Sequence, residues 1–164
     1  MAVDPATAPD VEQRWLVRCI ELATANVAEG GGPFGALVVR DGEVVATGTN
    51  LVTVDLDPTA HAEVTAIRRA CRALGSFTLS GCVLVTSCEP CPMCLAAALW
   101  SRMDRVLYAA DRDDAAAAGF DDRAFYDIVR DPSAGSPTPV VRVDTPRRND
   151  AFDAWRAKAD RVDY

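Results

Sequence analysis

The N-terminal part of the chain carries apolar residues at the spacing of one helical face. The residues that share this spacing are Leu16, Cys19, Ile20, Ala23 and Val27. Recurrence every three or four residues is the period of an amphipathic α-helix. Asp10 is suited to cap this helix, with Gln13 completing a capping-box pattern, and the glycines at 30–32 end it. We predict a helix from residue 10 onward and a disordered arm over residues 1–9, which include two prolines.

Short runs rich in β-branched and apolar residues predict five strands further along the chain. These runs are Ala36–Val39, Val44–Ala46, Cys82–Ser87, Arg105–Ala110 and Val140–Val143. The first two runs flank Asp41-Gly42, which is a strong signal for a tight β-hairpin. Because the two strands of a hairpin are antiparallel, the predicted sheet is mixed rather than purely parallel.

Helical segments are predicted between and after these strands. They cover residues 58–74, 91–101, 124–129 and 150–159. Asp57-Pro58 resembles an N-cap followed by proline at the first helical position, and Gly75 ends that helix. Strands that alternate with helices indicate an α/β fold. We therefore predict a single domain over residues 10–164, a three-layer α/β/α sandwich whose mixed central sheet has about five strands with helices on both faces.

Composition and charge narrow the classes of function. The chain has 164 residues, of which 49% are hydrophobic and 25% charged, and no apolar run reaches the roughly 18 residues of a membrane helix. The N-terminus does not resemble a signal peptide, so we expect a cytoplasmic protein with no membrane partner. The net charge is −7, and the Asp111–Asp122 segment is acidic. A nucleic-acid ligand is disfavoured, because such proteins neutralise phosphates with a basic surface.

Two segments carry metal-binding chemistry: His61-Ala62-Glu63, and Pro90–Cys94 about thirty residues later. A catalytic zinc has three protein ligands, drawn from imidazole and thiolate groups, and keeps a fourth position open for water. Cys91 and Cys94 are three apart on a predicted helix, so both thiolates fall on one face. With His61 at the start of another helix, these residues are candidate zinc ligands.

Glu63 fits a role in proton transfer better than a role as a ligand. Residues two apart on a helix do not share a face, so Glu63 should not bind the metal from the side of His61. Zinc lowers the pKa of a coordinated water to about 7. A carboxylate nearby can take a proton from that water and deliver it to a leaving amine.

Each fragment of this pattern has another interpretation. His61 is the one histidine of the chain, and a lone histidine is usually not a ligand. The C-x-x-C fragment alone suits a redox pair as well as zinc. Cys88 lies three residues before Cys91, so a closed, structural Cys3His site is a further alternative. The other cysteines, at apolar positions of their elements, are predicted core residues: Cys19, Cys71 and Cys82.

The combination H-x-E…P-C-x-x-C is the signature of zinc deaminases. At these residues the chain resembles the cytidine deaminase-like superfamily, and within it the short bacterial guanine deaminases. The segments that carry the resemblance are Pro33–Ala36, Asp57–Ile67, Thr86–Cys94, Ala118–Asp122 and the terminal Tyr164. It implies zinc-dependent hydrolysis of guanine to xanthine and ammonia. It also implies a homodimer in which the C-terminal segment is swapped, so that each subunit completes the site of the other.

The resemblance further implies a set of residues around a small nucleobase. They are Phe34, Asn50, Ala62, Trp100, Asp122 and Tyr164. In this interpretation Asn50 hydrogen-bonds the purine, and Phe34 and Trp100 line its ring faces. Asp122 accepts hydrogen bonds from the base, and Tyr164 closes the pocket. Without the resemblance, Trp100 suits a core position, Asp122 a helix N-cap, and Asn50 a turn.

Three alternatives to a guanine deaminase stay open on the sequence. The same metal site could serve another base or nucleoside, such as guanosine, cytosine or an aminotriazine. It also occurs in tRNA adenosine deaminases, although the acidic balance of this chain disfavours RNA. The third alternative is not an enzyme: a zinc-stabilised interaction domain in which Cys88 is the fourth ligand.

Overall fold

The computed structural model of the chain describes residues 9–131 and 135–163. These residues divide into two compact units, within Met1–Tyr126 and within Asp127–Tyr164. Apart from Pro9, which begins the first helix, the predicted disordered arm lies outside the described residues. In the ranges described, no helix is long and apolar enough to cross a membrane.

The first unit is built on a mixed four-stranded sheet. Its strands are β1 (Gly32–Arg40), β2 (Glu43–Asn50), β3 (Cys82–Cys88) and β4 (Arg105–Ala110), in the order β2-β1-β3-β4. β1 is antiparallel to both β2 and β3, whereas β3 and β4 are parallel. The predicted hairpin is confirmed: Asp41 and Gly42 both have positive φ, 51° and 82°, as a two-residue I′ turn requires.

Helices cover both faces of this sheet, as the α/β prediction requires: α1 (Pro9–Ala28) lies on one face, and α3 (Ala62–Leu74) and α4 (Pro92–Trp100) lie on the other. The first unit also contains α2 (Val52–Asp55) and α5 (Arg112–Ala117). The helix α6 (Arg123–Arg130) begins in the first unit, and α7 (Asp150–Ala157) belongs to the second. Alternation along β1 separates two apolar cores. Leu37 and Val39 pack with Trp15 and Cys19 of α1, whereas Ala36 and Val38 pack in the core that holds α3 and α4.

Two predicted elements differ from the structure. Val140–Val143 is not a strand, so the sheet has four strands rather than five; Val140, Val141 and Val143 are at least 75% exposed. A β-rich run forms a strand only where another strand pairs with it. The helix predicted over residues 58–74 is α3, which begins at Ala62 and not at Pro58. Asp57 turns its carboxylate onto Thr59 instead, accepting from the backbone N–H at 2.8 Å and from the hydroxyl at 2.7 Å.

Two short helices were absent from the sequence prediction, α2 and α5. For α5 a usable signal existed, because Asp111 caps the helix and forms a capping box with Asp114. The Asp111 carboxylate accepts from the backbone N–H groups of Asp113 and Asp114, both at 2.9 Å. The acidity of this segment therefore serves the start of a helix.

Candidate metal centre

Three donor atoms from two helix N-termini lie together at one edge of the sheet. His61 Nδ1 is 3.6 Å from Cys91 Sγ and 3.5 Å from Cys94 Sγ. The three residues offer ligand atoms that all lie within 4.8 Å of one another. Within the described residues, this is the one group of three or more His, Cys, Asp and Glu side chains that could hold a metal ion.

The spacing of these atoms fits zinc. Zn–N bonds of about 2.0–2.1 Å and Zn–S bonds of about 2.3 Å at a tetrahedral angle place nitrogen and sulfur about 3.6 Å apart. The two observed N···S distances, 3.5 and 3.6 Å, match that value. Two thiolates and one imidazole are also the soft and borderline donors that zinc prefers. The residues present therefore fit the metal, and three protein ligands are the number found in catalytic zinc sites.

The local sequence explains why these side chains meet. His61 is the N-cap of α3 and Cys91 the N-cap of α4, and both have extended backbone, with ψ of 156° and 167°. Neither side chain caps its own helix by a hydrogen bond, so both are available to a metal. Pro92 begins α4 in the position where its missing N–H costs nothing. Cys94 follows in the first turn, where the helix dipole favours a thiolate.

The electrostatics of the two thiols are strongly coupled. Contact with the Cys94 thiol, and then with His61, lowers the pKa of Cys91 to about 4 despite its burial. The pKa of Cys94 is raised by Cys91 and by burial. Contact with Cys91 raises the pKa of His61 above its ordinary value. The site thus holds the Cys91 thiolate beside an imidazole, and a divalent cation bound there would favour the thiolate form of Cys94 as well.

Glu63 lies beside this cluster but does not belong to it. Its side chain is in the first turn of α3 and is only 6% exposed. Burial raises the pKa of the Glu63 carboxyl, and the negative charge of Cys91 adds to the effect. A carboxyl whose pKa has moved toward neutrality is suited to accept and return a proton.

Cys88 does not complete a closed site. Its thiol, at the buried end of β3, donates to the carbonyl oxygen of Asp111 at 3.6 Å, and it is not in the metal-binding group. Burial raises its pKa to about 11, so it stays a neutral thiol. The predicted core cysteines also agree with the structure: Cys19 and Cys82 are fully buried, and Cys71 packs against the same core as Cys82.

Two predicted substrate residues lie near the end of the β1–β2 hairpin that adjoins α3. Asn50, the last residue of β2, is 8% exposed, and its side-chain oxygen accepts from the Val52 N–H at 3.3 Å. Its side-chain NH2 group makes no hydrogen bond to any residue that the structure describes, so it retains two donors. Phe34 is partly buried and meets Phe120 edge to face, with ring centroids 5.0 Å apart.

Asp122 approaches the metal centre from the segment before α6. Asp122 is the residue before α6, and the first N–H of that helix, from Arg123, donates to the Asp121 carboxylate at 3.2 Å. Burial and the charge of Cys91 raise the pKa of Asp122, which places its carboxyl within electrostatic reach of the sulfurs. A hydrogen bond from its own backbone N–H opposes this rise in pKa.

The three other predicted substrate residues differ in their surroundings. Ala62, between His61 and Glu63 at the start of α3, has its side chain fully buried in the core. Trp100 is the last residue of α4 and is 63% exposed; it lies about 9 Å along the axis and about 120° around it from Cys94. The Arg102 guanidinium lies 5.7 Å from its ring. Tyr164 lies outside the described residues.

Comparison with known proteins agrees with this geometry. Residues 9–110 match the family model of the cytidine and deoxycytidylate deaminase zinc-binding region. The chain belongs to this deaminase family. Its cofactor is zinc, and His61, Cys91 and Cys94 are the residues that fit it.

Other members of the deaminase family differ in how much of the chain they match. Guanine deaminase from Bacillus subtilis is 48% identical over 93% of this chain and 98% of its own length, and its crystal structure superposes with a TM-score of 0.89. The structure of guanine deaminase from Nitrosomonas europaea is 35% identical, covers 74% of this chain and 67% of its own, and has a TM-score of 0.63. The tRNA-specific adenosine deaminase of Aquifex aeolicus is 44% identical over 50% of this chain and 54% of its own length.

Three residues that no motif singled out surround the turn before Cys91. Glu89 pairs with Arg112, and hydrogen bonds from Arg112 lower the pKa of the Glu89 carboxyl. Tyr126 donates its hydroxyl to the carbonyl oxygen of Pro90 at 2.9 Å. The sequence signal for these contacts was the position of Glu89-Pro90 directly before a zinc ligand. Their partners could not be read from it, because Arg112 is 23 residues from Glu89 and Tyr126 is 36 residues from Pro90.

Proposed function

We propose that this chain is a guanine deaminase, which replaces the 2-amino group of guanine by oxygen from water and releases ammonia and xanthine. The observation that carries the proposal is the set of three donors at zinc spacing beside a buried carboxyl of raised pKa. It occurs in a chain whose likeness to B. subtilis guanine deaminase extends over 93% of its length.

When bound by His61, Cys91 and Cys94, zinc supplies Lewis-acid activation of water at neutral pH. In the proposed reaction, Glu63 takes one proton from the water that attacks C2 of the base. Glu63 then returns that proton to the amino nitrogen, which leaves as ammonia when the C–N bond breaks. Burial suits Glu63 to both steps, because a raised pKa lets the same carboxyl act as base and then as acid.

The base would be held by groups on two sides. The unbonded NH2 group of Asn50 can donate to acceptor atoms of the purine. Phe34, fixed by Phe120, can contact a ring face. The Asp122 carboxylate has lone pairs to accept from N–H groups of guanine. A small base fits this arrangement and the net charge of −7 better than tRNA does, since an RNA ligand requires a basic surface.

The central experiment measures ammonia release and zinc content together. Wild-type protein is tested with guanine, guanosine, cytosine, adenine and a tRNA anticodon stem-loop, and we expect guanine to have the highest kcat/KM. Glu63→Gln should lower kcat on guanine by at least about 100-fold while zinc content stays at one ion per chain. Cys91→Ala should lose both zinc and activity.

Cys88→Ala is the matched control for the metal site, because Cys88 is a cysteine next to the cluster but outside it. It should keep zinc and activity. Loss of zinc from Cys88→Ala would support a structural site instead. An active Glu63→Gln variant would show that another group moves the proton.

We further propose a homodimer in which the C-terminal segment completes the partner's site. Two observations support it: Leu95, Leu99 and Trp100 expose apolar surface on α4, and no residue of α7 is buried within this chain. Co-expression of Glu63→Gln with a chain that lacks residues 161–164 tests the swap. A swapped dimer should regain activity that neither chain has alone. A mixture that stays inactive would mean that the tail serves its own subunit, and a truncated chain that is active by itself would mean that the tail has no role.

A further inference from the structure

A partly buried ion pair lies immediately before the cysteine ligands. Glu89 Oε2 accepts from the backbone N–H and from Nε of Arg112, both at 3.1 Å. Glu89 Oε1 accepts from Nη2 of the same guanidinium. The pair is therefore bidentate, the geometry that gives an Arg–carboxylate contact its directional specificity. The Glu89 side chain is only 16% exposed, so water competes weakly for it.

Tyr126 closes this interaction into a ring of contacts. The Arg112 guanidinium lies over the Tyr126 ring, 3.8 Å from its centroid, at cation–π distance. The Tyr126 hydroxyl donates to the carbonyl oxygen of Pro90, the residue between Glu89 and Cys91. Two chain segments, the start of α5 and the first turn of α6, thus contact the turn that follows β3.

The same contacts reach the other side of the site. Asp122 lies one helical turn before Tyr126, and its carbonyl oxygen accepts from the Phe125 N–H at 2.8 Å. A displacement of Tyr126 would therefore move Asp122 together with the turn that precedes Cys91. The Glu89 N–H also donates to the carbonyl oxygen of Ala110 at 2.8 Å, which ties the turn to the end of β4.

We propose that Glu89, Arg112 and Tyr126 form a positioning clamp, which fixes the backbone before Cys91 for zinc and holds Asp122 at a set distance from the metal. The expected effect on zinc binding requires only that the chain is a zinc deaminase of this family. The expected effect through Asp122 rests on the proposed function. Residues that orient metal ligands from behind typically change metal affinity or activity by about 10- to 100-fold when they are replaced. Ordinary surface ion pairs have no such effect.

The test uses two variants that preserve shape. Tyr126→Phe keeps the ring beneath Arg112 and removes the hydroxyl bond to Pro90. Glu89→Gln keeps the size of the side chain and removes its charge. Two controls match them: Tyr108→Phe removes a tyrosine hydroxyl on β4, and Glu12→Gln breaks the Arg105–Glu12 pair, whose N···O distance is 2.9 Å and whose exposure is similar.

The zinc-loaded proteins are compared by the rate of zinc release to a chromophoric chelator, by kcat and KM on guanine, and by melting temperature. We expect both clamp variants to release zinc about tenfold faster than either control. Tyr126→Phe should also lower kcat about tenfold, with KM within twofold. Arg112→Lys, which keeps the charge but loses the fork, should fall between wild type and Glu89→Gln.

If the clamp variants release zinc at the rate of the controls, the proposal is overturned, even if their melting temperature falls. Residues that only stabilise the fold would lower the melting temperature without changing zinc release. This readout does not depend on the substrate. If wild-type protein has no activity on guanine but the clamp variants release zinc faster, the proposed function fails and the clamp stands.

Discussion

The two helices that supply the metal centre are held in different ways. α3, which carries His61 and Glu63, lies so close to β2 that a Cβ atom on Gly48 would stand 2.1 Å from the Ala62 carbonyl oxygen and 2.5 Å from the Ala66 N atom. The turn that leads into α4 is held by side chains instead, through Glu89, Arg112 and Tyr126. A backbone contact leaves no room for an added atom, whereas side-chain contacts can be weakened one at a time. The two halves of the site should therefore respond differently to mutation.

The largest effect is expected from Gly48→Ala, on the α3 half. The added methyl group overlaps backbone atoms that cannot rotate away, so we expect a loss of at least about 3 kcal/mol in the free energy of unfolding, or failure to fold. Urea denaturation with and without zinc measures it. Gly42→Ala is the control, because Gly42 has positive φ, 82°, but open space around it; it should lose about 1–2 kcal/mol. An equal or smaller loss for Gly48→Ala would remove the contrast between the halves.

An intermediate effect is expected from Asn26→Ala, which probes a polar contact on the β2 side. The buried Asn26 amide donates to the carbonyl oxygens of Gly32 and Asn50, both at 2.8 Å. Its loss removes this donor from one buried and one partly buried carbonyl oxygen, so we expect about 2 kcal/mol of destabilisation. Thr53→Val removes an exposed bond to the nearby Gly30 carbonyl oxygen and should lose less than about 1 kcal/mol. Equal losses would mean that burial does not set the strength of these contacts.

The smallest effect, and one of opposite sign, is expected from Thr86→Val on β3, the strand that leads into the clamp. The Thr86 hydroxyl oxygen is buried and has no hydrogen-bond partner among the residues described. Valine should therefore stabilise the protein by up to about 1 kcal/mol in thermal unfolding. The neighbouring Ser87 hydroxyl accepts from the Gly35 N–H at 3.0 Å, so Ser87→Ala should destabilise. Destabilisation by Thr86→Val would indicate a hydrogen bond that forms in solution, for example to buried water.

The ligands were predictable because their signals are local. His61, Cys91 and Cys94 come from two short segments, and each segment carries its own helix start. The clamp was not predictable, because Glu89 meets Arg112 only through the parallel register that sets Cys88 opposite Ala110. A sequence displays both residues but not that register. Tertiary pairing also decides against the predicted strand at Val140–Val143, which has the composition of a strand but pairs with no strand in the part of the chain that the structure describes.

The start of α3 shows a subtler limit. An aspartate followed by proline is a typical helix N-cap sequence. In the structure, however, the Asp57 carboxylate accepts hydrogen bonds from Thr59 in a turn that precedes the helix. Both uses satisfy the same backbone donors, so composition does not separate them. The outcome matters for function, because the later start makes His61 the cap and leaves its ring outside the helix.

The segment that carries Asp122 joins two helices, α5 and α6, that have no buried residue. The sequence of such a segment can be replaced without repacking the core. On the role proposed for Asp122, engineering of base preference should therefore begin with libraries over residues 118–122, with Tyr126 and the β2–α3 contact left untouched. The metal centre and the segment at residues 118–122 could then change independently of each other. This offers one route by which a single scaffold diversifies among aminated heterocycles.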